Sequence, residues 1–246
     1  MKIVLLAAGR SSRIFEKIKK PKCLLQINNL TLIERIIENI NSLGKFEINI
    51  IVGFKSKLIK KKLSKYKNIR FIYNKHFKTR DMLYSFFLGL EKIKDNLIFS
   101  YTDIFYDKKI IQRIIYSKRN NNELIIPILK NWEKIWKQRK ENYLDDAEDL
   151  QLSKKNFLKK IGGKINKKKI TKYQYSGIFY IPKKKRGELI KFYKKFSNKK
   201  MHLTNFFNIL IQNKIKIKCL KTSAKWYEFD DWKDYKNFKK TINESI

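Results

Sequence analysis

The sequence predicts an α/β fold with a mostly parallel sheet that is covered by helices on both faces. Short apolar runs alternate with amphipathic segments over the first hundred residues, and each run has the length of a buried strand. Strands that alternate with helices are joined by right-handed crossovers, which place parallel strands side by side. Hydrophobic residues make up 43% of the 246 residues, which is enough for a substantial core.

The first half of the chain contains the predicted elements in regular order. The helix predicted over residues 31–43 has the clearest boundaries, because Thr31 and Glu34 form a capping-box pattern and Gly44 follows the last turn. Strands are predicted at residues 2–6, 48–52, 69–73 and 97–101, and further helices at residues 56–66 and 81–93.

The second half has less regular patterns. Strands are predicted at residues 123–129 and 173–181, helices at 187–196 and 203–212, an edge strand at 214–221, and a final short helix after 226–230. Neither an internal repeat nor a clear domain boundary is visible, so we expect one domain over residues 1–246.

The chain carries a large positive charge, since 59 Lys and Arg residues outnumber 22 Asp and Glu residues to give a net charge of +37. Such a balance is typical of proteins that bind nucleic acid or anionic membranes. The excess is almost all Lys and is spread along the chain together with abundant Ile, Asn, Phe and Tyr, which is the result expected from AT-rich codon usage. We therefore favour a solvated lysine surface and expect no specific nucleic-acid partner, and a basic nucleic-acid-binding protein is the alternative of another class.

Cysteine content and hydropathy indicate the compartment. No apolar run reaches the roughly 18 residues that a membrane-spanning helix requires. The apolar segment at residues 1–9 is too short for a signal peptide and contains a single charged residue, Lys2. Cys23 and Cys219 are too few and too far apart for a metal cluster or a disulfide framework, which favours a reducing cytoplasm.

A loop of small residues follows the first predicted strand. Residues 6–9 are Leu-Ala-Ala-Gly, and the basic residues Arg13 and Lys22 come after them. Backbone N–H groups of such a loop can bind phosphate oxygens, and both basic residues add the charge that a triphosphate requires. The glycine patterns of P-loops and of dinucleotide-binding loops do not occur. From the loop alone, a phosphate site and an ordinary strand-to-helix turn are equally supported.

The order Leu-Ala-Ala-Gly-x-x-x-Arg followed by Lys-Pro-Lys resembles the signature of the sugar-nucleotidyltransferase superfamily, and it is similar to the small phosphocholine cytidylyltransferase-like branch. The resemblance extends from residue 2 to about residue 240. It implies a Rossmann-like mixed sheet with a small acceptor-binding insertion at roughly residues 130–185. It also implies that Arg13 contacts the leaving phosphates and that Lys22 stabilises the reacting α-phosphate. Ser11 replaces a glycine of many members, and we expect the loop to close with different backbone limits.

Two carboxylates that are distant in sequence match the metal-binding positions of this superfamily. Asp103 follows the fourth predicted strand, and Asp230 ends a Glu-Phe-Asp turn. The resemblance implies that both hold Mg²⁺, which usually binds one or two carboxylates together with substrate phosphates. An isolated Asp is more often a turn or capping residue, so the prediction depends on Lys22 and both carboxylates occurring in the expected order. Asp107 and Asp231 are weaker candidates.

Residues 74–85 resemble the segment of the superfamily that begins a helix beside the nucleotide. Ser85 matches its serine, and Arg80 and Asp81 lie where contacts to the base or the acceptor are made. The asparagine of that segment has no clear match, which leaves the base open, and His76 is interpreted as a structural or surface residue. The complete nucleotide-binding prediction is Leu6, Ala7, Ala8, Gly9, Arg13, Lys22, Asp81, Ser85 and Thr102.

An aromatic and acidic segment stands out in the predicted insertion. Four acids occur within residues 145–149, after Trp132, Trp136 and Arg139. The four acids and the nearby aromatic residues can hold a cationic head group through charge and cation–π contacts. A helical core stripe of the two tryptophans with solvated acids is slightly favoured over that function. The predicted acceptor contacts are Trp136, Arg139, Glu148, Tyr175, Gly177 and Glu228.

The resemblance implies a cytoplasmic, Mg²⁺-dependent cytidylyltransferase, either a monomer or a homodimer. Such an enzyme joins CTP to a small phosphorylated or phosphonate acceptor, of the phosphocholine, aminoalkyl phosphonate or amino-acid phosphate type, and releases pyrophosphate. Positioning and charge neutralisation by Lys22 and Arg13 should supply most of the catalysis, since no covalent intermediate is required. A sugar-1-phosphate nucleotidyltransferase that uses UTP or GTP is the alternative within the same class.

Overall fold

The computed structural model describes residues 1–117, 122–140, 142–166, 170–196 and 201–243. Its strands are β1 (Lys2–Ala7), β2 (Gln26–Ile27), β3 (Leu30–Thr31), β4 (Ile48–Val52), β5 (Ile69–Tyr73), β6 (Leu97–Tyr101), β7 (Ile104–Tyr106), β8 (Leu124–Leu129), β9 (Glu148–Leu152), β10 (Leu158–Lys164), β11 (Gln174–Tyr175), β12 (Ile178–Ile181), β13 (Ile217–Thr222) and β14 (Trp226–Glu228). Its helices are α1 (Ser12–Ile18), α2 (Leu32–Asn41), α3 (Ser56–Lys62), α4 (Met82–Lys92), α5 (Lys109–Ser117), α6 (Trp132–Arg139), α7 (Arg186–Phe196), α8 (Leu203–Gln212) and α9 (Trp232–Asn243).

An eight-stranded mixed sheet forms the centre of the described structure. Its order is β11-β8-β12-β6-β1-β4-β5, and β13 pairs with β8 outside this path. The strands β6, β1, β4 and β5 are parallel, as are β8 and β13. In contrast, β12 is antiparallel to both β6 and β8, and β11 is antiparallel to β8. The predicted mostly parallel mixed sheet is therefore confirmed.

Alternate side chains of β1 enter two different hydrophobic layers. Ile3 and Leu5 pack with the apolar faces of α2 and α5, whereas Val4 and Leu6 pack with those of α4 and α8. The strand is thus buried by helices on both faces of the sheet. Burial on both sides explains why β1 appears in the sequence as a continuous apolar run and not as an alternating one.

The capping box predicted for α2 is present. Thr31 accepts the N–H of Glu34, and the Glu34 carboxylate accepts the N–H of Thr31 at 2.9 Å. Other boundaries differ from the sequence prediction. The helix α3 ends at Lys62 and not at residue 66, and the final helix α9 is 12 residues long and not short.

The strand predicted over residues 173–181 is divided into β11 and β12. Gly177 separates them with a φ of +73°, a left-handed backbone that cannot continue a strand. The edge strand β13 begins at Ile217, later than predicted, and pairs in parallel with β8. Within the predicted insertion at 130–185, residues 141 and 167–169 lie outside the described residues. None of the described helices is long and apolar enough to cross a membrane.

Candidate active site

A cleft of about 400 Å³ opens at the carboxyl end of β1, between the following loop and the start of α4. Its position agrees with the rule that ligands of such sheets bind beyond the carboxyl ends of the strands. All of the residues predicted to bind the nucleotide line this cleft, namely Leu6, Ala7, Ala8, Gly9, Arg13, Lys22, Asp81, Ser85 and Thr102. Arg10, Asn74 and Phe77 also line it and were not in the prediction.

The loop after β1 closes with a serine in place of the second glycine. Ser11 has a φ of +57°, in the left-handed region, and its hydroxyl accepts the backbone N–H of Lys22 at 2.8 Å. Ser11 therefore fixes the distance between the loop and Lys22, a role that a glycine lacks. On the other side of the loop, a side chain at Gly53 would approach the Ala8 carbonyl oxygen to 2.9 Å, so glycine is required there.

Lys22 lies between the two predicted metal carboxylates. Its Nζ is 3.4 Å from Asp103 and 3.2 Å from Asp230, a residue 208 positions later in the chain. Arg13 also contacts Asp230, at 3.1 Å. The structure thus brings together the loop, the lysine and both carboxylates that the sequence pattern had grouped.

Pairing between two short strands explains how the carboxylates meet. β7 follows Asp103 directly and pairs antiparallel with β14, which ends two residues before Asp230. In addition, the backbone N–H of Phe229 donates to the Asp103 carbonyl at 2.9 Å. The two turns are therefore tied by backbone hydrogen bonds as well as by their shared contact with Lys22.

The charges of this group stabilise one another. Burial opposes the charged form of Lys22, but Asp103 and Asp230 outweigh it and raise the lysine pKa. Burial likewise opposes the charged form of Asp230, but Lys22 and Arg13 lower its pKa. Burial raises the pKa of the neighbouring Glu228 to about 8, although Arg139 opposes that increase.

The two weaker metal candidates cap helices. Asp107 accepts the N–H of Lys109 at 2.8 Å at the start of α5. Asp231 accepts the N–H of Asp234 at 3.0 Å and pairs with Lys140 at 2.7 Å. Both carboxylates have structural partners, as expected for Asp residues in turns.

Asp103 and Asp230 suit a hard cation that is shared with substrate phosphates. Their oxygens already converge on one positive charge, the ammonium of Lys22. Among the described residues, no group of three or more His, Cys, Asp or Glu is arranged to hold a metal ion without other ligands. Mg²⁺ normally takes one or two carboxylates and completes its shell with water and phosphate oxygens, so these two residues fit it.

The wall of the cleft beside α4 contains an asparagine that the resemblance had left without a clear match. Asn74 follows β5, is 1% exposed, and donates to the Ser85 hydroxyl at 2.9 Å. The side-chain oxygen of Asn74 accepts the backbone N–H of His76 at 2.8 Å, which gives this histidine a structural place. Asp81 caps α4 by accepting the N–H of Tyr84 at 3.3 Å. Asn74 follows β5 directly, and ligands of such sheets bind beyond the carboxyl ends of the strands. This position was the sequence signal that could have identified Asn74 as a site residue.

Trp136 and Arg139, two of the predicted acceptor contacts, lie in the core. Trp136 is 3% exposed and stacks on Trp226 with ring centroids 5.2 Å apart, and Trp132 is 1% exposed. The interpretation of the tryptophans as a helical core stripe is therefore correct. Arg139 has no exposed side-chain surface and contacts several carboxylates. Because both are enclosed by protein, the structure gives neither a surface that an acceptor can touch.

The other predicted acceptor residues lie around Tyr101. A side chain at Gly177 would approach the Tyr101 ring to 2.9 Å, so the glycine allows this ring its position. Tyr175 meets the same ring edge-on, with centroids 6.0 Å apart. Burial raises the Tyr101 pKa, and the negative charges of Asp103, Glu148 and Glu228 raise it further, which places these carboxylates near one phenol.

Comparison with known proteins is consistent with this site. Residues 3–148 match the family model described as a MobA-like NTP transferase domain. The chain is 31% identical over 252 residues to the CTP:phosphoglutamine cytidylyltransferase of Campylobacter jejuni, covering 95% of this chain and 97% of that protein. It is 33% identical over 99 residues to the choline-phosphate cytidylyltransferase of Streptococcus pneumoniae, covering 40% of this chain and 43% of that protein.

Solved structures share the fold at low sequence identity. The inositol-1-phosphate CTP transferase of T. maritima superposes with a TM-score of 0.76 at 18% identity, covering 100% of this chain and 97% of that one. The CTP:phosphocholine cytidylyltransferase of Streptococcus pneumoniae gives a TM-score of 0.75 at 18% identity, with 98% of each chain covered. The family match and the identity over nearly the whole length confirm the resemblance inferred from the motifs. The chain therefore belongs to the family of MobA-like NTP transferase domains and is a nucleotidyltransferase.

Proposed function

We propose that this nucleotidyltransferase depends on Mg²⁺, uses CTP, and transfers the cytidylyl group to a small phosphorylated acceptor of the amino-acid phosphate type. The observation that carries the proposal is the convergence of Lys22, Asp103 and Asp230 beside a cleft of suitable size. The names of both curated relatives support CTP as the nucleotide. The relative that covers nearly the whole chain is named for phosphoglutamine, which supports an acceptor of that type.

In the proposed reaction, an oxygen of the acceptor phosphate attacks the α-phosphorus of CTP. A new P–O bond forms, the bond from the α-phosphorus to the pyrophosphate oxygen breaks, and pyrophosphate leaves with that electron pair. Lys22 is 13% exposed and can neutralise charge on the α-phosphate, whereas Arg13 is 68% exposed at the entrance and can bind the leaving phosphates. When bound by Asp103 and Asp230, Mg²⁺ would neutralise phosphate charge and align the phosphates.

The ion pairs in the cleft support joint binding of metal and triphosphate. Lys22 and Arg13 are now paired with the carboxylates that would hold the metal. A triphosphate alone would remove Lys22 and Arg13 from the carboxylates and leave Asp230 with only its longer contact to Arg139, at 3.9 Å. A metal alone would displace Lys22 and Arg13 from the carboxylates and leave these two side chains without their acidic partners. Both losses are avoided when a metal–nucleotide complex enters, because buried charges are costly unless they are paired.

The residues around Tyr101 support an acceptor with a positively charged amino group. Glu148 and Glu228 lie near this ring and are partly buried, and burial raises the pKa of each carboxyl. A cation bound among them would favour their charged forms, and the faces of Tyr101 and Tyr175 can add cation–π contacts. Phosphorylated amino acids carry such an amino group, whereas sugar phosphates in general do not.

Pyrophosphate release provides a direct test. Each NTP would be combined with Mg²⁺ and one acceptor from a panel of amino-acid phosphates, phosphocholine, 2-aminoethylphosphonate and sugar 1-phosphates. We expect release with CTP and an amino-acid phosphate, and we expect Asp230→Asn to abolish it. Asp107→Asn removes a carboxylate of the same type from a helix cap and should leave activity intact.

Other outcomes would contradict parts of the proposal. Release with UTP or GTP and a sugar 1-phosphate would replace both proposed substrates and keep the reaction class. Equal activity in Asp230→Asn and in the wild type would exclude the proposed role of this carboxylate. Silence across the whole panel, with tight RNA binding that weakens steeply with salt, would favour nucleic-acid binding.

A further inference from the structure

Arg139 occupies an unusual position for a basic side chain. It lies in the last turn of α6 and is the one Lys or Arg that is buried among the residues that the structure describes. Its guanidinium carbon is 5.0 Å from the centre of the Trp136 ring, and that ring stacks on Trp226. Aromatic packing therefore restricts the guanidinium on one side.

Carboxylates from two parts of the chain contact this guanidinium. Asp146, Glu228 and Asp234 each lie 3.3 Å from it, and Asp230 lies 3.9 Å from it. Asp146 belongs to the acceptor-side insertion, whereas the other three acids belong to the turn between β14 and α9 and its flanks. Arg139 is thus the shared partner of Asp146 and of the turn that carries Asp230.

Asp234 connects Arg139 to the backbone of that turn. Nε and Nη2 of Arg139 both donate to Asp234, one to each oxygen, at 3.3 Å. Oδ2 of Asp234 in turn accepts the N–H groups of Asp230 at 2.7 Å and of Asp231 at 3.2 Å. Asp234 has no exposed surface, so water does not replace these contacts. The orientation of Arg139 therefore sets the orientation of Asp234, which holds the backbone of Asp230.

Stability by itself gives a weak reason for such a cluster. The cost of removing charges from water often equals the attraction between them, and apolar residues of similar size frequently serve as well in a core. A rigid, charged support is useful where a metal ligand must be held in one orientation, because residues behind the ligands tune metal affinity. The cluster is in contact with Asp230, where such a support has an effect.

We propose that Arg139 is a positioning residue that holds Asp230 in the orientation needed for Mg²⁺ and that joins this turn to the acceptor-side segment through Asp146. This inference rests on the proposed Mg²⁺-dependent reaction. Arg139 acts through Asp234 and touches no substrate, since its side chain is 0% exposed. That role differs from the acceptor contact predicted from the sequence.

Metal binding measured without turnover tests the proposal. Mn²⁺ would be titrated by electron paramagnetic resonance into the full chain with a non-hydrolysable CTP analogue, for the wild type and for Arg139→Lys. We expect the affinity of Arg139→Lys for Mn²⁺ to fall by about 10- to 100-fold, as is typical for residues behind metal ligands. Lys140→Met is the matched control, because Lys140 pairs with Asp231 on the same turn at 2.7 Å and contacts no metal carboxylate in the described structure.

Each remaining outcome decides the matter. A folded Arg139→Lys with an affinity for Mn²⁺ within about twofold of wild type would overturn the positioning role. If Arg139→Lys loses its circular dichroism spectrum, Asp234→Asn replaces it, with the same expectation and the same refutation. Loss of the folded state in both variants would assign the cluster to folding and overturn the proposal. If the wild type binds the CTP analogue but does not bind the added Mn²⁺, the proposed Mg²⁺-dependent function is overturned, whatever the variants do.

Discussion

Neutralising Glu34 should remove a pH-dependent part of the free energy of unfolding. Its carboxylate is 1% exposed, accepts the N–H of Thr31, and pairs with Lys62 at 3.3 Å and Lys65 at 3.0 Å. Burial opposes its charged form, but these partners outweigh burial and lower its pKa from 4.5 to about 2. Glu34→Gln removes the charge and keeps an oxygen that can complete the capping box.

The difference between these pKa values sets the size and the sign of the effect. A carboxyl with a lower pKa in the folded chain stabilises the fold above its unfolded pKa and loses that contribution as the pH falls. A decrease from 4.5 to about 2 corresponds to about 3 kcal/mol. Lys62 and Lys65 are 43% and 58% exposed, so solvent screens their pairing and we expect about 1–2 kcal/mol to be measured. This contribution to the free energy of unfolding should be lost as the pH falls from 4.5 to about 2.

Urea unfolding of both proteins across this pH range is the assay. The wild type should be more stable than Glu34→Gln by about 1–2 kcal/mol near pH 7, and the difference should shrink below pH 4.5 and approach zero near pH 2. Glu91→Gln, at an exposed position of α4, controls for the loss of one negative charge from a basic protein. A difference that stays constant across the range would refute the argument, because it would assign the effect to hydrogen-bond geometry and not to charge.

Three further predictions concern the cleft and its surroundings. Lys22→Met should lower kcat by about 10²- to 10³-fold, the usual cost of one lost charge-stabilising contact. Because Lys22 pairs with both carboxylates, the same variant should bind Mn²⁺ more tightly in the absence of nucleotide, as measured by paramagnetic resonance. Unchanged Mn²⁺ binding would contradict the shared carboxylate site. Gly177→Ala should lower the free energy of unfolding in urea by about 1–3 kcal/mol, because φ is +73° and the added carbon meets Tyr101. Gly187→Ala is the control, because its added carbon meets no atom within 4 Å and should leave that free energy unreduced. Cys23 should resist iodoacetamide near neutral pH in the folded protein, since burial raises its pKa to about 12, and rapid labelling detected by mass spectrometry would refute its burial.

The sequence was sufficient to predict the cleft, because its signals are local. The strand before Gly9 is a continuous apolar run, and the loop residues follow it directly, so the position of the site could be inferred. Its type was inferred from the resemblance, because the loop alone supported a phosphate site and an ordinary turn equally. Asp103 and Asp230 were grouped by resemblance, and the structure joins them through β7 and β14, which are three residues long each. Strands of that length carry no periodic signal, so the pairing itself could not have been predicted.

Arg139 was assigned to the acceptor because it belongs to the aromatic and acidic segment of the predicted acceptor-binding insertion. Its burial depends on carboxylates from two distant parts of the chain meeting in space, and no local pattern encodes that meeting. The division of the strand at residues 173–181 has a similar cause. Gly177 adopts a positive φ next to Tyr101, a neighbour that lies 76 positions earlier in the chain.

Burial separates two kinds of cation in this basic chain. Lysines such as Lys19, Lys137 and Lys185 pair with exposed acids at the surface, where the lysine side chains are 36–66% exposed and each pair contributes little. Lys22 is 13% exposed and contacts two carboxylates, and Arg139 is 0% exposed and contacts four. Burying these charges would destabilise the fold unless each of them had a partner. Codon bias can multiply lysines at the surface, but it does not place matching acids around a buried one. The ion pairs that involve Lys22 and Arg139 are therefore the part of the charge distribution on which the proposed function depends, whatever the origin of the remaining excess.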